Sequence, residues 1–323
     1  MRTRMQCSSC YYYRSSLSVL LLLFCYVAER RGNECKPNDS SGGIRHSQVN
    51  QDPGVRDALS KAGSYVLGYR KLCRNLVAQE RMVQKEYDRK GRLRKQRSFV
   101  SDYLFVALPS APDFTVEFRD VISIDGKLLS RKNQGVLELF RNKSSNAFEE
   151  ARRVTKESTR QNLGKKRNSN MVNFGLSFLI PQFQRDIEYR SLPPENSGQE
   201  DELILQFREL TDETRLRALT PIGKKPIPSE GLIWLSKPDA KVLKIDFRFK
   251  QEEKIYPLLG RYFIEYRPGV DNLLLPHRFE EYFYDTKAPE RVLFESVATY
   301  SNFKHFSVDV KIVPNDPALD LPQ

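Results

Sequence analysis

Histidine, glycine, proline and long apolar runs are all scarce in this chain of 323 residues. Sixteen glycines and 18 prolines exclude collagen-like and coiled-coil arrays. The apolar run Leu17–Ala28 has 12 residues, too few for a bilayer core that takes about 20, so a polytopic membrane protein is excluded. The three histidines are His46, His277 and His305; His277, His305 and Cys73 in the folded part form no four-ligand metal set at a recognisable spacing. The Cys7-x-x-Cys10 pair, though spaced as a redox or metal motif, lies in the leader segment. There is no HExxH, no Gly-x-Ser-x-Gly and no Gly-x4-Gly-Lys-Ser/Thr. Zincin, serine-hydrolase and P-loop chemistry therefore lack their local signatures. No repeat of solenoid length appears.

What is present is a soluble, globular balance: 39% hydrophobic, 29% charged, and a formal net charge of +12. Arg2, Arg4 and Arg14 precede the short apolar run, which reads as a secretory signal over residues 1–28. The cleavage site is poor, with Tyr26 at the third position before the cut and Arg30-Arg31 following, so an uncleaved anchor is the alternative. The first 35 residues carry net +3 of the +12, leaving +9 on the remainder. Residues 29–52 have no apolar periodicity and read as a disordered linker. The folded part spans 53–313 as a single domain, followed by a tail over 314–323.

Ala58, Ala62, Tyr65, Val66, Tyr69, Leu72, Cys73 and Leu76 recur at helical spacing after Pro53-Gly54, which predicts one amphipathic helix of about six turns. Cys73 on that apolar face is read as core. The period then changes to two. Strands are expected at 80–88, 97–108, 114–124, near 183–190, and through most of 203–313. Asn146 and Glu149 suggest a helix start closed by Gly164, and Met171–Ile180 is apolar on nearly every face, so it should be buried. Leu243, Ile245, Phe247 and Phe249 share one side of a strand, while Val242, Lys244, Asp246 and Arg248 share the other. That alternation belongs to an antiparallel sheet covered on a single side, with the helices as cover.

The stretch Gly231-Leu-Ile-Trp-Leu-Ser-Lys-Pro-Asp-Ala-Lys-Val-Leu-Lys-Ile-Asp246, the later Leu275-Pro276 and the ending Ala298–Ile312 resemble the LolA-like superfamily of periplasmic lipoprotein carriers. The resemblance covers roughly residues 54–313 and contains no catalytic motif. It implies an α+β fold: a strongly curved antiparallel half-barrel, with a long N-terminal helix and mid-chain helices packed on its concave apolar face. It implies an exported, periplasmic or secreted protein that binds a lipid or an acylated protein. The candidate lining residues are then Phe174, Phe178, Trp234, Phe247, Phe249, Tyr262 and Tyr266, with Trp234 on a weakly alternating strand. Aromatic clusters also occur as ordinary core, and a filled version of the same fold would be an interaction or sensor module.

An enzyme would need a constellation. Cys73 with His277 or His305 is conceivable in space, but a thiol on an apolar face is a poor nucleophile. Glu280-Glu281, Asp120 and Asp125 are the carboxylates that acid–base chemistry would use, and surface solvation is the expected role of each. A hydrolase of unknown type is the third reading, behind carrier and interaction module; no catalytic residue, cofactor or metal is assigned. The strongest charge feature is Arg89-Lys-Gly-Arg-Leu-Arg-Lys-Gln-Arg97. Its cations Arg89, Lys90, Arg92, Arg94, Lys95 and Arg97 form a hairpin tip suited to an anionic membrane surface, or a solvated edge that discourages sheet pairing. No stacking aromatics are interleaved, so nucleic acid is not expected as a partner.

Overall fold

The computed structural model describes residues 20–23, 52–108, 111–129, 156–163, 172–193, 201–210, 214–220, 223–251 and 258–305. The linker up to residue 51, most of the expected helix at 146–164, the expected strand end at 306–313 and the tail lie outside the described residues.

Helix α1 (Pro53–Leu72) begins where the Asp52 carboxylate accepts the Gly54 N–H at 2.8 Å and Pro53 occupies the first helical position, where its missing N–H costs nothing. It ends at Cys73, a turn earlier than the apolar spacing suggests. Asn75 at φ 59° turns the chain, and Leu76 already belongs to a strand. The strand ladder takes over there because Leu76 and Ala78 fit the inward phase of a two-residue alternation.

The strands are β1 (Leu20–Leu23), β2 (Leu76–Tyr87), β3 (Leu93–Leu108), β4 (Ala111–Ile124), β5 (Lys127–Leu128), β6 (Ile187–Ser191) and β7 (Glu202–Glu209). They continue with β8 (Leu216–Thr220), β9 (Gly223–Ile227), β10 (Ser229–Ser236), β11 (Val242–Gln251), β12 (Leu258–Pro268), β13 (Leu274–Asp285) and β14 (Ala288–His305). Eleven of them form one open antiparallel sheet in the order β5-β4-β3-β2-β14-β13-β12-β11-β10-β7-β6. The last strand thus lies beside the first long one, and β5 and β6 are the edges. A small second sheet, β1-β8-β9, includes Leu20–Leu23 from the expected signal segment, paired antiparallel with β8. Lys224-Lys225-Pro226 lies in β9; its proline sits on the outer strand of that sheet, the kind of position a residue without a backbone N–H can occupy.

The cover on the inner face is α1, a six-residue 3-10 helix Phe174–Leu179, and a four-residue helix α2 (Pro181–Gln184). Pro181 does not simply stop the apolar segment; it starts α2. The contact between α1 and this cover is close enough to need glycine, since a Cβ on Gly63 would lie 2.8 Å from Pro181 Cγ.

Alternation assigns the faces of β10 to β13 as expected, with Ile245, Phe247, Phe249, Tyr262 and Ile264 buried inside and Arg248 exposed outside. It misassigns Val242, set on the outer side but buried, and the inward carboxylates Glu80 and Glu281, and it fails at two further places. Trp234 lies between Ile233 and Leu235, which are fully buried in the core, and so occupies the outer face, half-buried opposite Lys244 and Ile204. On β4 both faces are buried: Val116 and Phe118 point one way, while Glu117 and Arg119 point into the interior.

Candidate functional site

The inner face of the sheet has two halves of different chemistry, and the mid-chain segment spans both. On β7 and β11–β13 the face is aromatic. Phe247 lies 5.3 Å from Tyr262 and Phe249 lies 5.0 Å from Tyr262, ring centre to ring centre, mostly edge-on, an arrangement that favours the ring quadrupoles. Phe178 sits 4.4 Å from Phe207 and 5.1 Å from Phe247, and Phe174 lies 6.0 Å from Phe247. Gly260 makes room for this, because a Cβ there would fall 2.2 Å from Phe249 Cζ. Five of the seven aromatics singled out from sequence, Phe174, Phe178, Phe247, Phe249 and Tyr262, are therefore joined by ring contacts in one buried cluster; Tyr266 is buried as well but meets Tyr69 of α1 edge-on at 6.5 Å. Trp234 is not among them.

The segment Phe174–Leu179 is buried at every position. Gly175 presses so closely on β11 that a Cβ would come 2.9 Å from Ile245 Cδ1. Its far end is tied by the Tyr189 hydroxyl, which donates to the Phe178 carbonyl, and by the Gln184 amide, which donates to the Leu179 and Leu59 carbonyls.

On β2–β4 and β14 the same face is polar. Arg119 forms a two-pronged ion pair with Glu80, both almost fully buried, and the Tyr300 hydroxyl donates to Glu80 at 3.0 Å. Burial alone would lower the Arg119 pKa, but the charge and hydrogen bonds of Glu80 hold it above its ordinary value. Arg119 also donates to Asn162 at 3.2 Å, and its backbone N–H donates to Ser158 at 2.8 Å. Gln84 accepts the Leu163 N–H at 2.8 Å, and Arg97 donates to the Gln161 carbonyl at 2.6 Å. The Glu117 carboxyl accepts from the Tyr103 hydroxyl at 2.6 Å and from the Asn173 N–H at 3.2 Å. Burial pushes its pKa up to about 7, against the lowering effect of those bonds. The mid-chain segment is thus pinned by polar groups on one half of the face and by aromatic packing on the other.

None of Glu80, Gln84, Glu117 or Arg119 stands out by a motif. The available signal was phase: Glu80 falls in step with Leu76, Ala78 and Met82, so it interrupts an apolar series rather than continuing a polar one. Glu281 does the same between Phe279 and Phe283. It is buried and accepts from Tyr262 at 3.1 Å, while Glu280 faces outward and bonds Arg278 at 2.5 Å. Adjacent strand residues point to opposite faces, so this pair cannot act on one substrate, and the surface role expected for Glu281 is corrected. Asp125 caps the turn after β4 by accepting the Ser98 N–H at 2.7 Å. Burial pushes the Cys73 thiol up to about 12, partly offset by its bond to Tyr69, which leaves no reactive thiolate at neutral pH. His305 is exposed and bonded to Asp271 at 2.6 Å. Among the described residues no group of three or more His, Cys, Asp or Glu side chains is placed to hold a metal ion.

Of the six cations in the basic segment, Arg97 is half-buried and engaged with Gln161, and Arg92 pairs with Asp88 at 2.8 Å. Arg89, Lys90, Arg94 and Lys95 are exposed at the tip between β2 and β3.

No family model and no curated protein matches the chain. Among solved structures it is similar to a LolA superfamily protein from Nitrosomonas europaea, in the superfamily the sequence resembles. The two are 11% identical, over 76% of this chain and 94% of that one, with a TM-score of 0.32. At that distance no function is carried across. No helix among the described residues is long and apolar enough to cross a membrane.

Proposed function

We propose that this chain is a non-enzymatic protein of the cell envelope that takes up a lipid or the acyl chain of a lipidated partner against the aromatic half of its sheet. The observation that carries the reading is the state of Phe174–Leu179. Six consecutive residues, apolar but for Ser177 and a glycine, lie fully buried in one short 3-10 helix and occupy the sheet face as a bound hydrocarbon would. Short 3-10 pieces are weakly held by their own backbone, so this segment depends on its surroundings and can be exchanged for a ligand of similar apolar area, at about 25 cal/mol per Å² buried. The proposal includes a half-barrel curvature, which open sheets of more than about ten strands adopt and to which the register shifts in β10–β14 contribute. Export rests on the basic residues and short apolar run of residues 1–28.

Native mass spectrometry of the purified full chain, with titration of a fluorescent fatty acid, tests this. A co-purifying lipid or saturable uptake is expected, together with faster amide exchange over residues 172–180 when ligand is bound. A clean apo mass with no uptake sinks the carrier reading. The ring-to-ring contacts of Phe178 with Phe207 and Phe247 favour the second reading in that event, a permanently filled fold whose surface recognises another protein.

A further inference from the structure

We infer that the tip of the β2–β3 hairpin is a docking element for an anionic phospholipid surface, with Leu93 entering the headgroup layer among flanking cations. The inference does not depend on whether the aromatic half holds a ligand.

Geometry isolates the tip. β3 pairs with β4 only from Phe99 onward, so Leu93 to Ser98 have β2 as their single strand partner and the hairpin runs past the end of β4. Residues 89–96 are all exposed. The turn itself is rigid: Asp88 accepts the backbone N–H of Lys90 at 2.8 Å and of Arg92 at 3.0 Å, Gly91 supplies φ 77°, and the Arg92 side chain closes on the same carboxylate. A tip locked in this way loses little conformational freedom when it binds.

Chemistry then selects the partner. Arg89, Lys90, Arg94 and Lys95 form no ion pair among the described residues, and the carboxylates in reach are Asp88, already used by Arg92, and Glu86, across the ladder from Lys95. A purely electrostatic site for a soluble polyanion has no use for Leu93, which stands 53% exposed between Arg92 and Arg94. Cations around one exposed aliphatic side chain suit an interface that is charged at the surface and apolar just below it. Nucleic-acid readers of single strands pair their cations with stacking aromatics, and residues 88–98 contain none.

The test is sedimentation of the full chain with vesicles of phosphatidylglycerol mixed with phosphatidylcholine, compared with pure phosphatidylcholine. Binding is expected only to the anionic vesicles and should weaken with added salt. Each cation close to such a surface contributes about fivefold in partitioning, so the double reversal Arg94→Glu with Lys95→Glu should lower binding by at least an order of magnitude. Leu93→Ser should lower it several-fold without altering the salt slope. All three sites are exposed; the unfolding midpoint of Leu93→Ser should match the parent, and that of the double reversal, which sets a carboxylate opposite Glu86, should fall only slightly. The apolar N-terminal run is unchanged in these variants, so any vesicle affinity of its own cancels in the comparison. Equal binding by parent and charge-reversal variant, or equal binding to both vesicle types, overturns the inference. So does a Leu93→Ser chain that binds as the parent does, which would reduce the tip to a generic polyanion contact.

Discussion

The polar and aromatic halves of the inner face bury their side chains almost equally well, yet they hold the same mid-chain segment by opposite means. On the aromatic half, where Glu281 bonds the Tyr262 hydroxyl, Phe174 and Phe178 are held against Phe207 and Phe247 by ring contacts. Contacts of that kind are non-directional, and one apolar group can replace another. On the polar half, Gln84, Glu117 and Arg119 make directed bonds to Ser158, Asn162, Leu163 and Asn173, and Glu80 holds Arg119 in place. Those bonds fix where residues 156–163 and Asn173 sit. Under the carrier reading proposed above, this division would let the polar half supply position and the aromatic half supply exchangeable area.

The largest effect is expected from breaking the polar half at its ion pair. Arg119→Met leaves the Glu80 carboxylate buried with the Tyr300 hydroxyl in place but no cation, and removing one partner of such a pair costs about 3–5 kcal/mol. The urea midpoint should fall accordingly, and Glu80→Gln combined with Arg119→Met should recover most of the loss. A single-variant cost below about 1 kcal/mol would mean that the pair is solvated and that the two halves do not differ as described.

A second effect, smaller for each group taken alone, is read by pH and touches both halves, since Glu117 lies on β4 and Glu209 ends β7. Glu117 has a folded pKa of about 7 against an ordinary 4.5, and Glu209, which accepts backbone N–H groups of Arg215 and Ser229 at 2.7 and 2.9 Å, is raised to about 7 as well. Both shifts are caused first by burial. For a carboxyl raised in the folded state, the unfolded chain releases its proton first as pH rises, so folded stability falls between about 4.5 and 7 and is level outside that window. The shift corresponds to on the order of 3 kcal/mol for each group. Chemical denaturation from pH 4 to 8 should show the decline, and Glu117→Gln should remove about half of it. A stability curve that rises with pH through this window would contradict the burial assigned to both carboxyls.

How much of this could be read from the letters follows from the same contrast. The aromatic half was legible because Leu243-Lys-Ile-Asp-Phe-Arg-Phe249 alternates cleanly, and because Phe174–Leu179 is too apolar for any surface. The polar half was not, since alternation sends polar residues outward by default. In β4 that rule picks Val116 and Phe118 for the interior, whereas Glu117 and Arg119 occupy it. The Arg119 partner Glu80 lies 39 residues away, and no local pattern encodes such a meeting. The Trp234 misplacement has a simpler cause: Leu232-Ile-Trp-Leu235 is apolar throughout and carries no phase.

The smallest expected effect probes whether the aromatic half has slack. Gly260→Ala would place a Cβ 2.2 Å from Cζ and 2.5 Å from Cε2 of Phe249. That ring is rigid and already in contact with Tyr262 and Phe283, at centroid distances of 5.0 and 5.8 Å. It cannot turn without moving its neighbours, and overpacking of this kind costs about 1–3 kcal/mol. Unlike the change at Glu117, the loss should be the same at pH 5 and pH 8, because the atoms the new methyl meets most closely are carbons of the Phe249 ring. Adding Phe249→Leu should return most of it by giving the methyl space. If Gly260→Ala proves nearly neutral alone, the rings have room to shift, and that freedom is what a face able to trade Phe174–Leu179 for an acyl chain requires. A full penalty, relieved only by the second substitution, describes instead a tightly packed cluster, and then ligand uptake would have to proceed by removal of the covering segment rather than by insertion beside it.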